Sequence, residues 1–471
     1  MDKIVTQENP LGTEKTGKLV ARYVVPSVIS LVVNSLYNMV DQIFIGQGVG
    51  YLGNAATNIV MPISLIMMAV AIMFGNGASA YMSLQLGKGE TKKAAKGVGN
   101  MIVLLVGSAF LFLVCFELLL QPLCYLFGAR GEVTGYAMDY GKIIILGFPV
   151  FVIGVGAGNV IRADGRPKAS MAGMLIGCIT NIILDPLFIF VCGWGVKGAA
   201  WATLIGQLLN AVFYIVCLCR FQTIRLERKD FILHRQTTGE IFSLGMSSFF
   251  TQIAGTVVIA IQNNLLVKYG AESVYGADIP MAALGITMKT SQLITSIAMG
   301  IASGVQPILG YNYGSGQHER VKETFKISFS ICTGIMVAAL VVFQVFPETI
   351  IQIFGQESEL YMEFAVKCFR IYLLACFMIP AGMVIGIFYQ AIGKPVPSMA
   401  LSLSRQIIFL IPAMFLLSAV WGIDGLLWSG PVSDALSGIL SILVLWKGWG
   451  NIFGEENKKK IGKKEIASLS F

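Results

Sequence analysis

The chain has 471 residues, of which 55% are hydrophobic and only 13% charged, and its mean hydropathy is +0.74. Soluble domains carry about 25% charged residues, so a soluble globular enzyme is excluded. At about 20 apolar residues per bilayer crossing, this length accommodates roughly twelve helical spans joined by short loops. The apolar stretches, such as Met101 to Phe116 and Ile327 to Phe346, are continuous rather than alternating, which disfavours a barrel and predicts helices.

Apolar runs between polar or Gly/Pro breaks predict helices near 20–43, 55–80, 98–120, 136–158, 168–191 and 198–219, then 240–266, 281–306, 326–346, 364–389, 398–419 and 424–446. Asp2, Glu8 and Glu14 precede the first run, unlike the basic start of a cleaved signal, so that span is expected to stay in the mature protein. If the N-terminus is cytoplasmic and the spans alternate, 26 of the 34 Lys and Arg residues fall on inside segments. This bias places both termini in the cytoplasm of a multi-pass cell-membrane protein. The net charge of +8 is then topological and needs no nucleic-acid partner. Nine scattered cysteines lack metal-type spacing, and their odd number argues against a full disulfide framework.

The chain is internally duplicated. Phe127-Gly128 recurs as Phe354-Gly355. Gly87-Lys88-Gly89 recurs as Gly314-Ser315-Gly316, and Trp194-Gly195 with Gly198 and Trp201 recurs as Trp421-Gly422 with Gly425 and Trp428, all at an offset of 227. Gly165-Arg166-Pro167 maps onto Gly393-Lys394-Pro395, and Gly154-x-x-x-Gly158 onto Gly382-x-x-x-Gly386, at 228. Six spans per half, an even number, require parallel repeats related by an axis along the membrane normal. The expected fold is all-α, with twelve helices in two six-helix lobes: an N-terminal lobe over 1–219, a basic cytoplasmic linker over 220–239, a C-terminal lobe over 240–446 and a basic cytoplasmic tail over 447–471. Such lobes leave a central cleft, the usual geometry of alternating access.

Ionisable groups within spans are costly and mark functional candidates. In the first helix Asn34, Asn38 and Asp41 share a face with Tyr37 beside them, and Pro26 is a candidate hinge. In the fifth, Asn181 and Asp185 are one turn apart and Pro186 loosens the ladder; the sixth adds Thr203. A carboxyl in a low-dielectric lobe can load a proton near neutral pH. Two carboxylates with amide and hydroxyl oxygens can instead hold a hard cation such as Na⁺. Capping or packing roles are the structural alternatives for these two acids. The strict counterpart of Asp41 is Lys268 and those of Asp185 are Ile411 to Ala413, so the carboxylates belong to the first lobe only. The second lobe offers Lys289, Arg405 and Asp434, of which the last two can pair across helices. Methionines and aromatics in the spans, such as Met39, Met288 and Phe388, suit varied apolar ligands or plain packing.

Pro26, Asn38 and Asp41, the turn Gly165 to Lys168, and Asn181, Asp185 and Pro186, together with the 6+6 duplication, make the chain resemble the multidrug and toxic compound extrusion (MATE) transporters, most of all their DinF-like branch. The resemblance implies export of amphipathic organic cations in exchange for H⁺ or Na⁺, without ATP or another cofactor, by a monomer in contact with membrane lipid. It implies a coupling-ion site at Asp41, Asn181, Asp185 and Thr203, with Tyr37, Asn38, Asn34 and Asn159 as neighbours and Pro26 as the bending point. The NorM-like branch has a further carboxylate pair in helices 7 and 10, which this chain lacks.

The alternative is a flippase for a lipid-linked saccharide of the same superfamily, which would need a cationic cavity or fourteen spans. An enzyme is not expected: there is no HExxH and no Walker A sequence, and no Ser/His pair lies within the spans.

Overall fold

The computed structural model describes residues 9–276, 278–354 and 358–468. The acids Asp2 and Glu8 and residues 469–471 lie outside the described residues, as do the tail side chains beyond Phe453. Helices dominate, and twelve spans follow in order. In the first lobe they are α1 (Thr16–Val49), α2 (Tyr51–Gly87), α3 (Thr91–Leu126), α4 (Glu132–Leu146 with Phe148–Ala163), α5 (Pro167–Pro186) and α6 (Gly195–Leu218). In the second they are α7 (Arg235–Ala271), α8 (Asp278–Gly314), α9 (His318–Val345), α10 (Glu359–Tyr372 with Ile379–Ala391), α11 (395–421) and α12 (423–453).

The two lobes are parallel six-helix repeats. Their repeated glycines mark turns: Gly195 and Gly422 both have positive φ, 55° and 60°, as do Gly89 and Gly316 at 78° and 73°. A side chain at any of these would strain the turn, which accounts for the recurrence of the motifs. Gly422 also separates α11 from α12.

Four spans differ from the continuous helices expected. α4 bends by 52° where Gly147 precedes Phe148-Pro149, because proline cannot donate into the preceding turn. α10 is interrupted by a 3₁₀ turn at Cys376–Met378, just before Pro380. α5 passes directly into a π turn, Leu187–Val191, after Pro186, and α11 contains another at Ser404–Leu410. The nine cysteines are free thiols.

The lobes meet chiefly along two related pairs, α2 with α7 and α1 with α8, and α2 also packs on α8 where Gly87 and Gly314 approach each other. A Cβ on Gly245 of α7 would lie 1.9 Å from the Met73 carbonyl oxygen of α2, and one on Gly77 would lie 2.1 Å from that of Ile241. Gly300 and Gly304 of α8 approach the Val28 and Val24 backbone of α1 in the same way. Lipid tails supply no hydrophobic drive between helices, and small residues permit the close approach on which packing in a membrane depends.

All these glycines lie in the half of the molecule nearer the face where α1 begins and α12 ends, called here the terminal face. The Ser35–Ser296 hydroxyl contact, at 2.6 Å, marks the midpoint. Beyond it, among the described residues, no cross-lobe hydrogen bond or glycine contact occurs, and Asn38, Lys289 and Gln292 are exposed within their spans. The cleft therefore opens away from the terminal face.

The first helix of each lobe is rooted in the other lobe. Leu19, Val20, Tyr23 and Val24 of α1 belong to the second lobe's apolar core, and Ile241 and Leu244 of α7 to the first lobe's. The lead-in segments follow suit. Asn312 of α8 donates to the Leu11 carbonyl at 2.9 Å and Arg320 of α9 to that of Glu14 at 2.6 Å.

Asn100 of α3, fully buried, donates to the carbonyls of Asp230 and Ile232 and accepts from the His234 amide and the Thr238 hydroxyl. Asp164, in the turn after α4, accepts from the Gln222 and Thr223 amides, the Thr223 hydroxyl and Arg166. Burial raises the Asp164 carboxyl above its ordinary pKa, against the opposing pull of those hydrogen bonds and of Arg166. The stretch between the lobes is thereby fixed to the first lobe before α7 begins.

Gly245→Ala should force α7 from α2 at the terminal face. Spin labels at the exposed positions Lys88 and Glu319 should then move apart; an unchanged distance distribution would show that the glycine contact does not hold the lobes together.

Candidate functional site

Three helices of the first lobe, α1, α5 and α6, pack together and bring Asp41, Asn181, Asp185 and Thr203 to one place, in the half away from the terminal face. All four are buried, Asp185 completely and Asp41 to 8% exposure. The Asp41 and Asp185 carboxyl groups lie side by side inside the lobe. Asn181, one helical turn before Asp185, satisfies both ends of its amide in one orientation. Its nitrogen then donates to Asp185 Oδ2 at 2.8 Å, and its oxygen accepts from the Thr203 hydroxyl at 3.2 Å and the Thr203 amide at 3.1 Å. Asp41 Oδ1 is buried without a hydrogen-bond partner.

Pro186 shapes this region. It ends the regular part of α5, and the π turn that follows places Ile189 against Ile45 of α1 and Ala199 of α6. Such π segments recur at functional sites. Asp185 is thus held at the last regular turn.

Tyr37 lies close to Asp41, Asp185 and Cys178, as expected of the residue beside the stripe. Tyr140 of α4 also stands near both carboxyls and was not foreseen. Its signal was one aromatic among several, with Tyr136, Phe148 and Phe151, in a span whose rotation is set by the bend at Gly147. The other expected neighbours are arranged differently. Asn38 is exposed and donates to the Asn34 carbonyl at 2.7 Å, along α1 itself. Between Asn38 and Asp41 the helix turns from cleft to lobe interior. Asn159 accepts from Arg162 at 3.3 Å rather than from any member of the carboxyl cluster.

Arg162 donates across the lobes to the Ser303 carbonyl of α8, at 3.1 Å. That carbonyl has no helical donor, because residue 307, four positions on, is proline. Pro26 lies buried inside the continuous helix α1. It stands where α1 leaves the second lobe's core.

In the second lobe Arg405 and Asp434 form an ion pair, Nε to Oδ1 at 2.6 Å, joining α11 to α12. Arg405 is carried by the π turn of α11. Lys289 is exposed and has no ion-pair partner among the described residues; it shares a face of α8 with Ser296 and so lines the cleft. Also among the described residues, no group of three or more His, Cys, Asp and Glu is placed to hold a metal ion.

A duplicated twelve-helix membrane protein with a one-sided cleft and a buried carboxyl pair in a single lobe is a membrane transporter of the two-lobed class. The comparisons give its family: the MatE family model matches residues 26–187 and 248–416, once in each lobe, and the chain belongs to that family.

It is 25% identical to the multidrug export protein MepA of Staphylococcus saprophyticus subsp. saprophyticus over 430 residues, covering 90% of this chain and 92% of that one. It is 26% identical to MepA of Staphylococcus haemolyticus over 438 residues, covering 91% and 93%. Its fold matches an outward-facing multidrug resistance MATE transporter of the MOP superfamily with a TM-score of 0.87 at 22% identity, covering 95% and 98% of the two chains. It also matches a MOP superfamily transporter from Pyrococcus furiosus, described as having a binding pocket of reversed polarity that suggests a different function, with a TM-score of 0.86 at 21% identity, covering 94% and 97%.

The Arg405–Asp434 pair can be tested as a structural brace. Arg405→Met should lower unfolding stability by about 2 kcal/mol by leaving Asp434 without its partner, and adding Asp434→Leu should restore most of the loss. Thermal unfolding in detergent measures both; an unaffected single variant would remove the brace.

Proposed function

We propose that this protein is a multidrug efflux antiporter, which exports amphipathic organic cations from the cytoplasm in exchange for H⁺ or Na⁺ by alternating access, and is not an enzyme. The terminal face is the cytoplasmic one in this reading, in keeping with the Lys and Arg bias. The observation that carries the proposal is the buried contact between Asp41 and Asp185, with one Asp41 oxygen unpartnered. Two carboxylates in contact inside a low-dielectric lobe require a shared proton or a bound cation. Carboxyl, amide and hydroxyl oxygens from Asp41, Asp185, Asn181 and Thr203 suit either ion.

Coupling runs through α1. Its half beyond Pro26 carries Asp41 in the first lobe, and its terminal half is packed in the second lobe's core. An ion that alters the contact of Asp41 with Asp185 acts on a helix that both lobes hold. The ion shifts the balance of states by the difference in its affinity for them. Pro26, which cannot donate to the Arg22 carbonyl, lets the two halves of α1 reorient.

Lys289 is the observation on the side of the second reading, a flippase for a lipid-linked saccharide, because a cleft cation suits a pyrophosphate headgroup. A single lysine makes a weaker case than the carboxyl pair.

In proteoliposomes, a pH or Na⁺ gradient imposed separately should drive movement of a lipophilic fluorescent cation. Asp41→Asn and Asp185→Asn should each reduce the driven component by about tenfold or more, the scale of one coupling free energy. If both variants transport like the unmodified protein, the coupling site is wrong. Gradient-independent translocation of a fluorescent polyprenyl-pyrophosphate sugar, with no cation transport, would favour the flippase. Pro26→Ala should weaken the conformational response to the coupling ion, seen as a smaller ion-dependent change in the Lys88–Glu319 label distance; an unaltered response would exclude the hinge.

A further inference from the structure

A cavity of about 540 Å³ opens at the lobe junction near the terminal face, within the range of small-molecule sites. It is lined by Phe74 of α2, Leu104 of α3, and Leu233, Arg235, Thr238 and Phe242 from the lead-in and first turns of α7. Neither the coupling site nor the cleft uses any of these residues.

Its polarity is graded along the membrane normal. Arg235 and Thr238 lie at the start of α7, at the terminal face. Phe74 and Leu104 each lie 13 residues from the end of α2 or the start of α3 at that face, about 20 Å along the axis. An arginine at the interface above an apolar groove within the hydrocarbon reproduces the order of headgroup and acyl chain in a lipid.

Arg235 is exposed and has no ion-pair partner among the described residues. Of the two acids five residues away, Asp230 is buried and accepts from the Glu227 amide, while Glu240 accepts from Gln236 and stands near Tyr81 and Lys93. Glu240 is exposed on α7 and does not line the groove. The mouth is preorganised, because Asn100 binds both the His234 amide and the Thr238 hydroxyl. Phe231, Ile232 and Leu233, all exposed, form an apolar edge beside it, flanked by Arg228, Lys229 and Arg235. An exposed apolar edge bounded by cations fits the headgroup boundary of an anionic leaflet.

We propose that this groove is a binding site for an anionic phospholipid, with the phosphate at Arg235 and an acyl chain along Phe242, Leu104 and Phe74. The bound lipid touches both lobes at the closed end of the cleft. It therefore stabilises the closed terminal face and would be released or rearranged when that face opens.

Native mass spectrometry of the full-length protein, with phosphatidylglycerol and phosphatidylcholine offered in equal amounts, tests the site without reference to transport. The protein should retain phosphatidylglycerol preferentially. Arg235→Gln should reduce that preference about fivefold, the factor one basic residue carries near an anionic surface, and Arg235→Lys should restore it. Leu104→Trp, which fills the groove, should abolish retention of both lipids, whereas Arg228→Gln, outside the groove, should change nothing. The proposal is overturned if Arg235→Gln retains phosphatidylglycerol as before, if Arg228→Gln loses it equally, or if inorganic phosphate displaces it.

Discussion

The backbone contact between lobes through glycine is the constraint from which the remaining architecture follows. Where Gly77, Gly245, Gly300 and Gly304 stand, there is no room for a Cβ, so α2 meets α7 and α1 meets α8 at backbone distance. That closeness is confined to the terminal half and fixes where the cleft opens. In lipid, where apolar surface gains nothing from leaving water, such dispersion contacts are what can hold two bundles together. They are also short-ranged, so a small separation loses most of their energy at once. An interface of this kind favours two discrete states over a graded opening.

The exchange of α1 and α7 between lobes makes those states communicate with the carboxyl cluster. If α1 belonged wholly to the first lobe, a change at Asp41 would stay there. Because Leu19, Val20, Tyr23 and Val24 are buried in the second lobe, any rotation or bend between Val24 and Asp41 is a change in the relation of the lobes. α7 repeats the arrangement without the charge: Lys268, the counterpart of Asp41, is exposed and lies over the ring of Tyr269. The duplication supplies a symmetric scaffold, and the two acids break its symmetry.

Much of this was legible in the chain because it depended on local chemistry. The repeated turn glycines needed positive φ, the spans needed unbroken apolar runs, and charge inside a span is rare enough to be noticed. Asp41, Asn181, Asp185 and Thr203 could be grouped because each stands out against apolar neighbours on its own helix. What could not be read depended on rotation and contact between distant segments. Tyr140 is one aromatic among many until the bend at Gly147 orients α4. Asn159 looked like a partner of the carboxyls, but the cross-lobe reach of Arg162 gives it another role. Gly154 and Gly158 approach Asn210 and Tyr214 of α6 closely, whereas Gly382 meets nothing; a repeated motif is not a repeated contact when its partner helix has changed.

Arg162 shows how a closed face can be firm without being permanent. Its guanidinium meets no carboxylate among the described residues; it donates to the Ser303 carbonyl, left free by Pro307. An ion pair at this depth would be strong to break, since separation would leave two uncompensated charges. A charge-to-carbonyl bond leaves only one, and a neutral carbonyl is the milder group to strand. The proline thus provides an acceptor in one lobe that the other lobe's cation can take up and give back. In an alternating-access cycle that is the useful property, because a closure held by ion pairs would resist the opening that each turnover requires.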